Sequence, residues 1–180
     1  MVDLVEIQAA YYMVAATGVL VAAVFYIMNL RETTKNRRIT FTNSVMQQLF
    51  SEEGVRREFD CYTMQWTDFE DFKRKYDSLV NPESYSKRMS LWLTYDSLGY
   101  LYKSGLIDLD TVANVGGGLL LWDWLKFKPI IEELRKTDLG PKGFSSFEYL
   151  AETVLRLKEW DEPDARARYD RVEKEYRMAQ

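Results

Sequence analysis

The sequence predicts an all-α protein, with an N-terminal single transmembrane helix followed by a compact soluble domain of about five to seven helices. Three observations carry this prediction. The run from Ile7 to Leu30 contains no charged residue. The chain after it repeats apolar residues at spacings of three and four, between residues that commonly start and stop helices. It shows neither convincing strict alternation nor an Asn-Gly or Asp-Gly hairpin signal.

The uncharged run is long enough to cross a membrane. Its 24 residues reach about 36 Å as a helix, against a hydrocarbon core of about 30 Å. A cleaved signal peptide is the alternative, but it would have an apolar core of about 7 to 15 residues preceded by basic residues. Here Asp3 and Glu6 come before the run instead. The sequence therefore favours an anchor that is retained.

Basic residues follow the run, and no lysine or arginine precedes it. By the positive-inside rule, the N-terminus lies outside and the C-terminal domain lies in the cytoplasm, at the cell membrane. The same cations would also be attracted to an anionic lipid surface. Setting the topology is the simpler interpretation and the one we favour. These residues are Arg31, Lys35, Arg37 and Arg38.

Three segments follow from the pattern: an anchor (1–30), a cytoplasmic α-helical domain (31–160) and a charged helical tail (161–180). The first helix is expected to continue through Arg38 into an apolar row at Phe41, Val45 and Leu49. Ser51 is a predicted N-cap. The stripe after it consists of Val55, Phe59 and Tyr62.

The next helices are bounded by capping residues. Thr67 and Glu70 have the spacing of a capping box, and Asn81 with Pro82 starts a long helix that Gly105 ends. Asp108 caps a shorter helix. The row expected to be buried after the capping box is Phe69, Phe72, Tyr76, Leu79 and Val80. On the long helix, one face is shared by Tyr85, Met89, Trp92, Leu93 and Leu101.

Glycine and proline punctuate the remainder. The run 116–118 is triple glycine, which favours a break or a close helix crossing. The helix that resumes contains Trp124, and Pro129 is expected to kink it or to begin a new helix. Ser145 and Glu148 form a second predicted capping box. The helix after it buries Leu150, Val154, Leu157 and Trp160.

Composition excludes several kinds of chemistry. The chain has no histidine, so histidine-based metal sites and catalytic triads are excluded. A net charge of -4 argues against a nucleic-acid partner. A single cysteine, Cys61, fits a reducing compartment, and we expect its thiol to be buried or inert. We assign no catalytic, cofactor-binding or metal-binding residue and expect no cofactor.

Five carboxylates are candidates for a metal site. A gathered set would suit Mg²⁺ or Ca²⁺. The simpler interpretation is structural, because Asp108 is explained as a cap and two of the glutamates as acids in a first helical turn. The five residues are Asp108, Asp110, Asp123, Glu132 and Glu133.

Several stretches together carry a resemblance. They are the membrane span with its basic continuation 30–38, the GLID segment 105–108, the WLKFKPII segment 124–131 and the FEYL segment 147–150. With these features the chain resembles a family of uncharacterised prokaryotic single-pass membrane proteins, a domain of unknown function. The resemblance spans most of residues 12–160 and implies no catalytic residues.

The leading functional hypothesis is a membrane-anchored helical module that binds or scaffolds proteins, either by self-association or as an accessory subunit of a membrane complex. Its partners would be the lipid bilayer and a protein or a second copy. In the tail, an apolar seam of Tyr169, Val172 and Tyr176 is a candidate partner contact, with an inert tail as the alternative. The second hypothesis is a membrane-bound enzyme that uses carboxylates and a metal.

Overall fold

The computed structural model describes residues 4–178, which contain eight helices in two compact units, 4–40 and 41–178. The first helix, α1 (Leu4–Leu49), makes up the described part of the first unit and continues into the second. Among the described residues, α1 is the one helix that is both long enough and apolar enough to cross a membrane. No part of its most apolar stretch is buried.

The second unit is built from the end of α1 and seven further helices. Trp92 and Trp124 are buried there, as the sequence predicts, so the all-α fold and its main core positions are confirmed. The helices are α2 (Glu52–Thr63), α3 (Phe69–Tyr76), α4 (Pro82–Lys103), α5 (Leu109–Val115), α6 (Gly117–Thr137), α7 (Ser145–Asp161) and α8 (Ala165–Met178).

Three predicted N-caps are confirmed. The side chains of Ser51, Asn81 and Asp108 each accept a hydrogen bond from a backbone N–H three residues later, at 2.9 to 3.1 Å. The first capping box is wrong by one residue, because Asp68 caps α3 through the N–H of Asp71. A short carboxylate directly before the helix is a stronger acceptor for these amides than the threonine one residue earlier.

The second capping box is also wrong, and its replacement comes from another helix. Ser145 lies inside α7, and the residue at the cap is Phe144, with φ 55° and no side-chain bond. The first-turn amides are satisfied by Asp96 of α4, whose Oδ1 accepts from the N–H groups of Ser146 and Phe147 at 2.9 Å each. A carboxylate on α4 therefore performs the capping function.

Helices α4 and α7 form the most extensive helix pair of the described chain. Their approach depends on Gly99, because a Cβ atom there would lie 2.0 Å from the carbonyl oxygen of Ser146. Beside this crossing the core is aromatic. The ring of Trp92 meets those of Phe127 and Phe144 edge to face at 5.2 and 5.3 Å between centroids.

The triple glycine produces both predicted effects. Gly116 ends α5 and precedes α6, while a Cβ at Gly117 would lie 2.9 Å from Val154 of α7. Pro129 does not begin a new helix, since α6 continues through it to Thr137. The apolar side chains on both sides of the proline are fully buried, and this packing outweighs the one backbone donor that proline lacks.

Some predicted core positions are exposed. Leu79, at 93% exposure, and Val80 lie in the turn after α3, which ends at Tyr76. Trp160, at 87% exposure, lies in the last turn of α7. In each case the residue keeps the helical spacing of the apolar stripe, but it lies beyond the part of the chain that packs against the core.

The C-terminal seam packs against this chain itself. Tyr169 and Val172 of α8 are buried, Tyr176 is half-buried, and α8 contacts α6 and α7. Lys128 of α6 and Glu173 of α8 form an ion pair at 3.1 Å. The seam is therefore not an open surface for a partner, which corrects the role we expected for it. The sequence of α8 alone does not show this packing, because the groove that covers the seam is formed by α6 and α7.

Candidate functional site

An open apolar pocket lies between α2 and α6. Its volume is about 490 Å³, within the range of small-ligand sites. Each helix contributes four residues at positions i, i+3, i+4 and i+7, which is the spacing of one helical face. The α2 face is Val55, Glu58, Phe59 and Tyr62, and the α6 face is Leu119, Trp122, Asp123 and Lys126. We call this site the α2–α6 pocket.

The apolar side chains of the two faces are exposed to solvent. Phe59 is 63% exposed, and Val55, Tyr62, Leu119 and Trp122 are exposed as well. The α2 stripe predicted from the sequence is therefore real, but it lines an open pocket. Contiguous exposed apolar surface of this kind commonly marks a binding site.

A carboxyl pair lies in the floor of the pocket. Asp123 is only 4% exposed, and its side chain is hydrogen-bonded to that of Glu58 on the opposite helix. The Tyr95 hydroxyl donates to Glu58 Oε2 at 3.3 Å. Asp123 Oδ2 is fully buried, and no N–H or hydroxyl group of the described residues donates to it.

Burial and mutual repulsion raise the pKa values of this carboxyl pair. Burial raises the pKa of Asp123 well above its ordinary value, and the charge of Glu58 and the hydrogen bond to it raise it further. Burial also raises the pKa of Glu58, against the lowering effect of its hydrogen bonds to Asp123 and Tyr95. Asp123 therefore keeps its proton to a higher pH than an exposed carboxyl.

Lys126 lies at the rim of the same site. Its ammonium group donates a hydrogen bond to the backbone carbonyl of Tyr62. It also lies over the rings of Tyr62, Trp66 and Phe127, 5.4 to 5.8 Å from their centroids. Burial lowers the pKa of Lys126 to about 8. The charge of Lys126 lowers the pKa of Asp123 and the charge of Asp123 raises the pKa of Lys126, but burial has the larger effect on both groups.

A second buried cation, Arg88, belongs to the core. Its guanidinium lies over the rings of Phe72, Tyr85 and Trp92 at 4.6 to 5.3 Å and donates to the carbonyl of Tyr76 at 3.2 Å. Burial lowers its pKa to about 10. This arrangement joins α3 to α4.

Of the candidate site residues named from the sequence, only Asp123 is among the residues that line this pocket. The basic flank Arg31, Lys35, Arg37 and Arg38 is exposed on α1. Of the five candidate carboxylates, only Asp123 lines the pocket, and within residues 4–178 no group of three or more such side chains is placed to hold a metal. Cys61 is buried, and burial raises the pKa of its thiol to about 12.

Glu58 was missed in the sequence, although a signal was present. Each face of the pocket is an apolar helical stripe that carries one acid in its interior, at Glu58 and at Asp123. An acid at such a position must find a partner or a proton when the stripe packs. Which two stripes meet is a matter of tertiary structure, and the sequence does not show it.

Together these features define a class: an all-α domain with an acid-floored apolar pocket, preceded by a long apolar helix. The chain belongs to a family described as a domain of unknown function, DUF4760, whose model matches residues 13–154. This confirms the domain-of-unknown-function family expected from the sequence. The matched range includes both faces of the α2–α6 pocket and ends before α8. No curated protein and no solved structure matches the chain.

Proposed function

We propose that this chain is a membrane-tethered binding module whose α2–α6 pocket takes the apolar face of a helix from a partner protein. The observation that supports this most is the pair of facing helical stripes with exposed apolar side chains. These side chains are Val55, Phe59 and Tyr62 on α2, and Leu119 and Trp122 on α6. Two helices spaced apart with apolar walls form the groove that amphipathic helices occupy in other recognition systems.

The energetics favour occupation of the groove. Covering an exposed apolar side chain stabilises the complex by about 25 cal/mol for every square ångström of apolar surface removed from water. Phe59, Tyr62 and Trp122 supply large rings with few rotatable bonds, so their ordering on binding is inexpensive. Aromatic residues of this kind commonly dominate the binding energy at protein interfaces.

The carboxyl pair by itself also suits the second hypothesis, an enzyme, because catalytic acids are often buried and paired. A metal-dependent site needs further ligands. Within the described chain, no third carboxylate or thiolate joins the pair in a group that could hold a metal ion. The apolar walls around the pair support binding as the first proposal.

Tethering supports the same role. The apolar helix α1 would hold the module at the bilayer, with the N-terminus outside and the domain in the cytoplasm, where the flank of Arg31, Lys35, Arg37 and Arg38 favours it. Confinement to a membrane raises the effective concentration of a partner in the same membrane. A groove of modest affinity would then be sufficient.

The anchor and its orientation are tested by fractionation. The protein should pellet with membranes and resist extraction by alkaline carbonate, because its apolar helix lies in the hydrocarbon core. A protease added to intact cells should leave the domain undigested. Extraction by carbonate would contradict the anchor, and digestion of the domain from outside would contradict the orientation.

Docking is tested by photo-crosslinking in membranes. Benzoylphenylalanine in place of Phe59, which lines the pocket, should give an adduct with a partner protein, and mass spectrometry should place the adduct on an apolar helical segment. The same probe in place of Leu79 is the matched control, since Leu79 is more exposed but does not line the pocket.

A Val55→Asp substitution should remove the Phe59 adduct, because a carboxylate in the apolar wall resists desolvation. Identical adducts from positions 59 and 79 would contradict docking in the pocket. An adduct from position 59 to another copy of this chain would replace the partner protein with self-association.

A further inference from the structure

Two side-chain contacts join the two walls of the α2–α6 pocket. At the floor, Asp123 of α6 is hydrogen-bonded to Glu58 of α2. At the rim, the ammonium group of Lys126 donates to the carbonyl of Tyr62, near the end of α2. Among the described residues, α2 packs chiefly against α4. The attachment of α2 to α6 therefore depends strongly on these two contacts, and both involve titratable side chains.

The contact at the floor requires a proton. Two ionised carboxylates offer only acceptor oxygens, so a hydrogen bond between Glu58 and Asp123 needs one of the two groups to be protonated. The Tyr95 hydroxyl donates to Glu58 at 3.3 Å, which favours the negative charge on that side chain. Asp123 lies in the closed floor, where its Oδ2 is buried. The proton therefore belongs with Asp123, and the contact exists only while it is held.

The surrounding charges do not replace this proton. Arg57 of α2 lowers the pKa of Glu58, and Lys126 of α6 lowers the pKa of Asp123, but burial has the larger effect and raises both pKa values. The end of α1 contributes uncharged residues to the pocket, Leu49 and Phe50. Two further titratable groups face the pair and are neutral at neutral pH, because burial raises the pKa of each: Cys61 of α2 and Tyr95 of α4.

We propose that the Glu58–Asp123 hydrogen bond is a proton-dependent link between the walls of the α2–α6 pocket, and that loss of its proton as the pH rises releases α2 from α6 and opens the floor. Two negative charges in contact repel each other, and each needs water that the closed floor does not admit. Separation of α2 from α6 relieves both effects. This inference goes beyond the proposed function, since it concerns how the pocket opens and holds for any occupant.

The direction of the pH effect follows from proton binding. An exposed carboxyl titrates at about pH 4, whereas burial keeps the proton on the closed pair to a higher pH. Between these two pKa values the closed state binds more protons than the open state, so closure is favoured at low pH and is lost as the pH rises. Loss of charge on Lys126, whose pKa is about 8, weakens the rim contact in the same direction.

The thiol of Cys61 reports the opening, because Cys61 is the one cysteine of the chain, lies on α2 and is fully buried. Dithiodipyridine is the probe, and the full chain is held in nanodiscs. The rate of thiol modification is divided by the rate for the urea-unfolded chain at the same pH. This ratio gives the open fraction and removes the pH dependence of the thiol itself.

We expect the ratio to rise by about tenfold or more from about pH 5 to about pH 9 in the wild type. It should stay nearly constant in Asp123→Asn and in Glu58→Gln, because an amide donates to the remaining carboxylate without a titratable proton. Asp110→Asn, which changes an exposed acid outside the pocket, should keep the wild-type pH dependence.

Lys126→Met tests the pair without changing either carboxyl group. This variant lacks the charge that lowers the pKa of Asp123. The rise in the ratio should therefore remain and move to higher pH. A rise that disappears in Lys126→Met would assign the pH dependence to the lysine and contradict the role of the carboxyl pair.

Three other results would overturn the inference. The first is a wild-type ratio that does not change with pH, and the second is an equal rise in the wild type and in both amide variants. The third is a modification rate that depends on urea as steeply as global unfolding does, since release of α2 alone exposes less surface. None of these results bears on partner docking, which the Phe59 adduct tests separately.

Discussion

Replacing Trp92 with alanine is expected to lower the free energy of unfolding of the domain by about 3 to 5 kcal/mol. The indole is fully buried, and its ring contacts those of Phe127 and Phe144 and the guanidinium of Arg88. Truncation would leave a cavity at the centre of these contacts. No hydrogen bond of the indole Nε1 is lost, since that atom has no partner among the described residues, so the loss is one of packing.

Urea unfolding of the full chain in detergent micelles, followed by circular dichroism, measures this loss. The control is Trp160→Ala, which removes an equally large ring from an exposed position and should change the free energy by no more than about 0.5 kcal/mol. Similar effects of the two substitutions would contradict the placement of Trp92 in the core.

A Gly99→Ala substitution is expected to destabilise the domain by about 3 kcal/mol, at the upper end of overpacking effects. The added Cβ would lie 2.0 Å from the carbonyl oxygen of Ser146, which is backbone and cannot rotate away. Helices α4 and α7 must separate to admit it. That movement also lengthens the hydrogen bonds from the start of α7 to Asp96.

The matched control is Gly118→Ala in α6, where a Cβ would meet nothing within 4 Å. Alanine is the better helix former, so this variant should be neutral or slightly more stable. Thermal unfolding of the two variants side by side is the measurement. Equal melting temperatures would show that the α4–α7 crossing is looser than the structure has it.

Features that depend on neighbouring residues could be predicted from the sequence. The long apolar helix, the caps at Ser51, Asn81 and Asp108, and the buried tryptophans of α4 and α6 all follow from spacing and side-chain chemistry within one helix. The ends of the stripes were less certain. Leu79 and Trp160 continue the helical spacing although the chain has already left the core.

The candidate site depends on which helices meet, and that information is not local. Glu58 and Asp123 are far apart in sequence, and each taken alone is an ordinary acid on a helix. The same limit applies to the C-terminal seam. Tyr169 and Val172 were recognised as an apolar stripe, but the surface that covers them belongs to α6 and α7 of this chain.

Because a carboxylate of α4 caps the first turn of α7, completion of α7 depends on the packing of these two helices. The acceptor for the Ser146 amide lies 50 residues before it in the chain, so the first turn of α7 is completed only after a long loop has closed. Local helix formation in α7 alone leaves these amides open to water. We therefore expect helices α4 and α7 to form and open as one cooperative unit, and protection of the Ser146 and Phe147 amides from hydrogen exchange should report on the docking of both helices.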